Sequence, residues 1–236
     1  YILKIPLSGK PQFSFGKRMH STLQKFFQLE LSRSNNRQTD LFSQNKNEEP
    51  NPISWEEMKN IYEQSFVDDW YPDTLTKEKY LATGEKILRG FYAKYLEERP
   101  KVKELERKFV WKIKVDGEMC TVSGAIDRID QLPDGLKIVD YKTGTAKAKL
   151  EAGDKEQLLI YQIAAQEVFG EKVQELSFYY LENNSEMSFL GKAKDLEKVQ
   201  DKIVKSIEEI KRGEFPPNPG WSCDYCDFKK ICEFRA

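Results

Sequence analysis

The feature that most restricts the fold is a block of two-residue alternation in the middle of the chain. Phe109, Trp111, Ile113 and Val115 alternate with Val110, Lys112 and Lys114 in a run that begins near Glu104. Successive strand residues point to opposite faces, so this run reads as a strand with one apolar side. Asp116-Gly117 then supplies a hairpin turn, and a second strand covers about Glu118–Asp130. Pro133-Asp134-Gly135 marks a second turn, and Leu136–Lys142 reads as a third strand. The expectation is an antiparallel three-stranded meander.

Helical spacing surrounds this block. Ser14 reads as an N-cap, and Phe15–Leu31 carries apolar residues at Phe15, Met19, Leu23, Phe26 and Phe27. Gly16, His20, Leu23 and Phe27 fall on neighbouring faces of that helix. Ser32–Pro52 is polar, rich in Asn and Gln and without period, which predicts a loop or linker. Ser54 caps a helix from Trp55 to about Asp69, and Thr76 caps Lys77–Glu98, which Pro100 stops. Residues 32–100 therefore read as a helical insertion.

After the meander, a polar stretch leads to a helix over Asp154–Phe169, closed by Gly170. Val173–Leu181 and Met187–Leu190 read as strands, and Ala193–Arg212 as a charged helix. No internal repeat is visible. The sum is an α/β chain with a mixed central sheet flanked by helices, read as one domain over residues 1–236. Because it opens on Tyr1, it is expected to be a piece of a longer protein.

A net charge of −1 excludes a strongly basic scaffold but not a local basic surface. No apolar run approaches the roughly 18 residues of a membrane span, and no secretory leader pattern is present. The expectation is a cytoplasmic protein with no membrane partner. Of four cysteines, three form Cys223-x2-Cys226-x5-Cys232 and Cys120 stands apart. Such C-x-x-C spacing is more often metal-binding than a disulfide framework in a chain of this size.

The chemistry concentrates in Gly124-Ala125-Ile126-Asp127-Arg128-Ile129-Asp130 and Ile138-Val139-Asp140-Tyr141-Lys142-Thr143-Gly144. Asp140 and Lys142 are two apart on a strand, so they share a face. Hairpin pairing can bring Asp127 beside Asp140. Two adjacent carboxylates repel unless a cation lies between them, and hard oxygen ligands suit Mg²⁺ or Mn²⁺. Such an ion activates water for phosphodiester hydrolysis, and a nearby lysine stabilises developing charge. A bare D-x-K tripeptide is common and reads as a surface ion pair; Gly124-x-x-Asp127 upstream is what changes the reading.

These motifs resemble the PD-(D/E)xK nuclease superfamily, and specifically its RecB/AddB-type exonuclease branch. Ser14-Phe15-Gly16-Lys17-Arg18-Met19-His20 resembles the branch's metal-binding histidine helix, and His20 is the chain's one histidine. Gln157-Leu158-Leu159-Ile160-Tyr161 is similar to the Gln-x-x-x-Tyr signature of the following helix, with both residues on one face. The resemblance implies a restriction-endonuclease-like fold and DNA cleavage, with single-stranded ends as the substrate and a helicase domain or subunit as a partner. It implies His20, Asp127, Asp140 and the Tyr141 carbonyl as metal ligands and Lys142 as the catalytic lysine. Gln157 and Tyr161 would hold Lys142 or contact DNA. Glu106, or else Glu104, would be a further acid on the first strand. Arg128 is open between a phosphate contact and a sheet-edge salt bridge.

Cys223, Cys226 and Cys232 resemble the branch's C-terminal iron–sulfur signature, which implies a [4Fe–4S] cluster or Zn²⁺. The fourth cysteine of that pattern precedes the histidine helix, and none precedes His20 here. Cys120 is open between a substitute ligand and a small buried residue. Two other functions compete with the nuclease: a DNA-binding module that no longer cuts, and a zinc-ribbon interaction domain resting on the cysteines alone.

Overall fold

The computed structural model describes residues 9–38, 52–66, 70–213, 215–229 and 231–235. The elements run α1 (Pro11–Gln38), α2 (Trp55–Gln64), α3 (Thr74–Glu98), β1 (Val102–Val115), β2 (Glu118–Leu132) and β3 (Gly135–Lys142). They continue with α4 (Ala152–Glu167), β4 (Val173–Tyr180), β5 (Ser185–Phe189), α5 (Ala193–Arg212) and a short 3₁₀ turn, η1 (Trp221–Tyr225).

The first helix is longer than expected at both ends. Pro11 opens it, where a missing N–H costs nothing, and Ser14 is buried inside it rather than capping it. It also runs through residues 32–38, which the sequence pattern assigned to a loop; an Arg33–Glu57 ion pair ties this part to α2. The remainder of the expected loop, 39–51, lies outside the described residues. Ser54 caps α2 as expected, in a reciprocal capping box with Glu57, but α2 ends at Gln64. The cap of α3 is Asp73, whose carboxylate accepts the Thr76 N–H at 2.7 Å. Thr76 is thus the partner of the cap and not the cap.

The meander forms with both turns where the sequence marks them. Asp116 and Gly117 have φ of 53° and 83°, the paired left-handed geometry that suits a tight hairpin. The five strands lie in the order β1-β2-β3-β4-β5. β3 and β4 are parallel and the other neighbours antiparallel, so the sheet is mixed. A parallel pair needs a crossover, and α4 supplies it.

Each face of the sheet has its own core. Phe26, Phe27, Leu88 and Phe91 from α1 and α3 pack on Val139, Tyr141 and Tyr179. Leu158, Leu159 and Ile163 of α4, with Val199 of α5, pack on Phe109, Ile126, Ile138 and Phe178. Period two sorts β3 cleanly: Val139 and Tyr141 face α1, while Ile138 faces α4, and with it the parity of Asp140 and Lys142. β1 changes sides along its length. Leu105 packs with the α1 cluster, whereas Phe109 and Trp111 pack with the α4 cluster. The residue between, Glu106, has a left-handed φ of 48°. Among the described residues no helix is long and apolar enough to cross a membrane.

Candidate active site

The site forms where β2 and β3 part. Their ladder ends at the pair Arg128–Val139. One residue further, the Asp127 side chain takes over from the backbone: its Oδ2 accepts the Tyr141 N–H at 2.9 Å. The same oxygen is 3.3 Å from His20 Nδ1, which α1 delivers from across the sheet. Asp127 therefore joins the histidine helix to the D-x-K strand.

Asp140 and Lys142 share the α4 face, as their spacing requires. Lys142 Nζ is 2.7 Å from Asp140 Oδ2 and donates to Gln157 Oε1 at 2.7 Å. The Gln157 amide nitrogen donates in turn to Asp140 Oδ1 at 2.7 Å and to Tyr161 Oη at 2.8 Å. These three side chains close a ring, and Tyr161, one turn along α4, braces it. The Phe178 ring lies 5.1 Å from the Lys142 ammonium. Asp140 is 2% exposed. Its Oδ1 accepts from Gln157 and its Oδ2 pairs with the Lys142 ammonium.

Charge is crowded here. Burial pushes the Asp140 carboxyl up to about 6, and the Asp127 charge adds to that push. Burial and Asp127 also raise Glu106 above the ordinary carboxylate range. Burial alone would lower His20, but its bond to Asp127 and the charges of Asp127, Asp140 and Glu106 raise it. Glu106 is therefore close enough to feel the site. Leu105 and Arg107 pair with Arg128 and Ile126, which sets Glu106 opposite Asp127. Its left-handed backbone is strained for a non-glycine residue, and such strain concentrates at functional positions. Glu104 is instead ion-paired with Arg107.

Other expectations resolve differently. Arg128 is 5% exposed. It donates to Tyr141 Oη at 2.6 Å and to Asp130 Oδ2 at 3.0 Å. Of its two open readings, the salt bridge holds, and it is a buried one; no phosphate can reach it. The Tyr141 side chain is buried with it on the α1 face, 4% exposed, so only the backbone of Tyr141 belongs to the site.

The four cysteines are free thiols. Among the described residues no three His, Cys, Asp or Glu side chains are gathered as a ready metal cage, the expected cysteine trio included. Three thiols are also one short of a four-cysteine set. Cys120 is paired with Ile113 near the far end of the hairpin, beside Lys211. At the candidate site the reason differs: the charged groups pair with each other. The donor set of one imidazole and hard carboxylates still fits Mg²⁺ or Mn²⁺.

One supporting contact escaped sequence reasoning. A Cβ on Gly124 would lie 2.8 Å from Phe109 Cζ, so the glycine makes room for that ring. Phe109 then meets Tyr161 edge-on at 5.9 Å, which links Gly124 to the Gln157 ring. The signal was the glycine three residues before Asp127, whose reason lay on the neighbouring strand.

The PD-(D/E)XK nuclease superfamily matches over residues 1–233. This chain belongs to that superfamily, whose members cut nucleic acid and typically use a divalent metal. Two solved structures are similar to it. One is the crystal structure of SSO0001, with 20% identity, a TM-score of 0.46 and coverage of 74% of this chain and 75% of that one. The other is a candidate exonuclease from Eubacterium rectale, with 14% identity, a TM-score of 0.46 and coverage of 77% and 72%. No curated protein matches the chain.

Proposed function

We propose that this chain is a Mg²⁺- or Mn²⁺-dependent deoxyribonuclease that degrades DNA from single-stranded ends. The observation that carries the reading is the closed ring of Asp140, Lys142 and Gln157 beside the Asp127–His20 pair. In this proposal His20, Asp127, Asp140 and the Tyr141 carbonyl hold the ion, with Glu106 at its edge. The bound ion supplies Lewis acidity and an activated water.

The protein's own groups do the rest. Asp140 holds the Lys142 ammonium in place. Lys142 neutralises charge that develops on the scissile phosphate. Gln157 fixes the geometry of both, and Tyr161 fixes Gln157. His20, when protonated, is bonded to Asp127, so loading an ion requires its neutral form. His20, Asp127, Asp140, Lys142, Gln157 and Tyr161 are joined through one set of contacts, which favours cutting over a module that binds DNA without cutting.

The C-terminal cysteine segment acts in this reading as a clasp on the start of α1. The Lys10 ammonium donates to the Tyr225 carbonyl at 3.2 Å and lies 5.5 Å from its ring.

The substrate is tested by offering linear and circular single-stranded DNA beside a linear duplex, with Mn²⁺ present. Degradation of linear single strands alone is expected. Nicking of circles would replace end-directed cutting with endonuclease action.

A further inference from the structure

The geometry points to a second nucleic-acid contact: the outer half of the β1–β2 hairpin carries a basic strip that holds the backbone of a single strand leading to the catalytic centre. This rests on the nuclease reading for the identity of the ligand, not for the existence of the surface.

Beyond β3 the hairpin continues as a two-stranded arm, since β3 pairs only with Arg128–Leu132 of β2. One face of the arm is covered, because Phe109, Trp111, Ile113 and Val122 pack into the α4 cluster. The opposite face is bare. Lys108, Val110, Lys112 and Lys114 are all exposed along β1. Their cross-strand partners are Ala125, Ser123, Thr121 and Met119. None of these four partners is a carboxylate; the row meets carboxylates only at its inner end, where Glu106 and Asp127 of the candidate site stand. Of the other acids nearby, Glu104 is paired with Arg107 and Glu118 with Lys211, which leaves Asp116 at the hairpin tip. Lys108, Lys112 and Lys114 have no ion-pair or hydrogen-bond partner among the described residues. In a chain of net charge −1, three unpaired lysines in one line form a localised positive feature.

The strip is in register with the site. Glu106 faces Asp127, and the next pair on that side is Lys108 with Ala125. The change of face at Glu106 puts the lysines on the α1 side, the side from which His20 reaches Asp127. Lys108 to Lys114 spans six residues, or roughly 20 Å of extended strand. A single file of cations suits one phosphate backbone, and exposed Val110 and Met119 offer apolar contact to its bases.

The test uses the full chain and a triple variant, Lys108→Gln, Lys112→Gln and Lys114→Gln. A control variant carries Lys194→Gln, Lys198→Gln and Lys205→Gln, exposed lysines of α5 that change net charge equally. Binding of labelled oligothymidylate of about 20 nucleotides is followed by fluorescence anisotropy in EDTA over a range of salt. Cleavage of the same oligomer and of a short oligomer that cannot reach the arm is followed with Mn²⁺. The strip predicts roughly tenfold or greater loss of affinity in the triple variant, and a salt slope shallower by about 2, near 0.7 for each of three phosphates. The control variant and cleavage of the short oligomer should be unchanged. Equal binding by wild type and triple variant would overturn the strip, as would failure of the wild type to bind. A larger loss for duplex than for single strand would overturn its assignment to one strand. Binding that depends on the strip without any cutting would leave the strip standing and reject the nuclease.

Discussion

Asp127 Oδ2 accepts the backbone N–H of Tyr141 at 2.9 Å, so a carboxylate replaces a ladder carbonyl at the point where β2 and β3 separate. The residue has a structural and a chemical task, and two substitutions divide them. Asp127→Asn keeps an acceptor for Tyr141, and should melt within a few degrees of wild type while losing metal-dependent activity. Asp127→Ala leaves that amide unpaired and should cost about 1–3 kcal/mol of stability as well. Thermal melts and cleavage rates of both variants check the separation.

Asp140 is a buried carboxylate held up to about 6 by burial and by Asp127. Raised above its unfolded value, it is destabilising when ionised. Folding is therefore weakened above about pH 6, and the penalty fades as pH falls toward 4. In EDTA, Asp140→Asn should be more stable than wild type at pH 8 by about 1–3 kcal/mol. The gap should close as pH drops through 6. A variant equally or less stable at pH 8 would show that the Lys142 pairing outweighs the burial.

Gln157 touches both Asp140 and Lys142, whereas Tyr161 touches Gln157. Gln157→Ala should lower kcat by about 10- to 100-fold, the usual range for loss of a partner that orients a metal site. Tyr161→Phe removes one hydrogen bond and keeps the ring against Phe109, so its effect should be smaller. Single-turnover rates at saturating Mn²⁺ order the two.

Arg128 and Asp130 are both about 5% exposed and bonded to each other, and Arg128 also bonds Tyr141. Removing one partner strands a buried charge. Arg128→Met alone should lose about 3–5 kcal/mol, and the double variant with Asp130→Leu should recover much of it. Denaturant titrations of the two singles and the double measure this. The double variant should also keep its affinity for DNA, because Arg128 reaches no phosphate.

The meander and the site were legible because both depend on local signals. Asp116-Gly117 and Pro133-Asp134-Gly135 specify turns through their own backbone preferences, and Asp140 and Lys142 share a face by strand geometry alone. Helix ends were less legible, because α1 begins on Pro11 and is extended past Leu31 by an ion pair to a residue of α2. The role of Arg128 was undecidable for the same reason: its partners come from two strands, and its burial comes from the aromatic residues of α1. Glu106 could be ranked above Glu104 only through the motif it resembles. Its proximity to Asp127 depends on the change of face in β1, and nothing in the residues around it announces a left-handed backbone. Lys112 and Lys114 were visible only as polar positions of the alternation; that with Lys108 they form an exposed row whose cross-strand partners are uncharged depends on the hairpin register.

The most direct measurement is cleavage of end-labelled single-stranded DNA by the wild type, Asp140→Ala and Lys142→Ala, with Mn²⁺, with Mg²⁺ and with EDTA. The account predicts metal-dependent shortening by the wild type, none in EDTA, and loss of about 1000-fold or more in either variant, as for removal of a central charge-stabilising group. Cutting that persists in EDTA, or in folded Lys142→Ala at the wild-type rate, would contradict it.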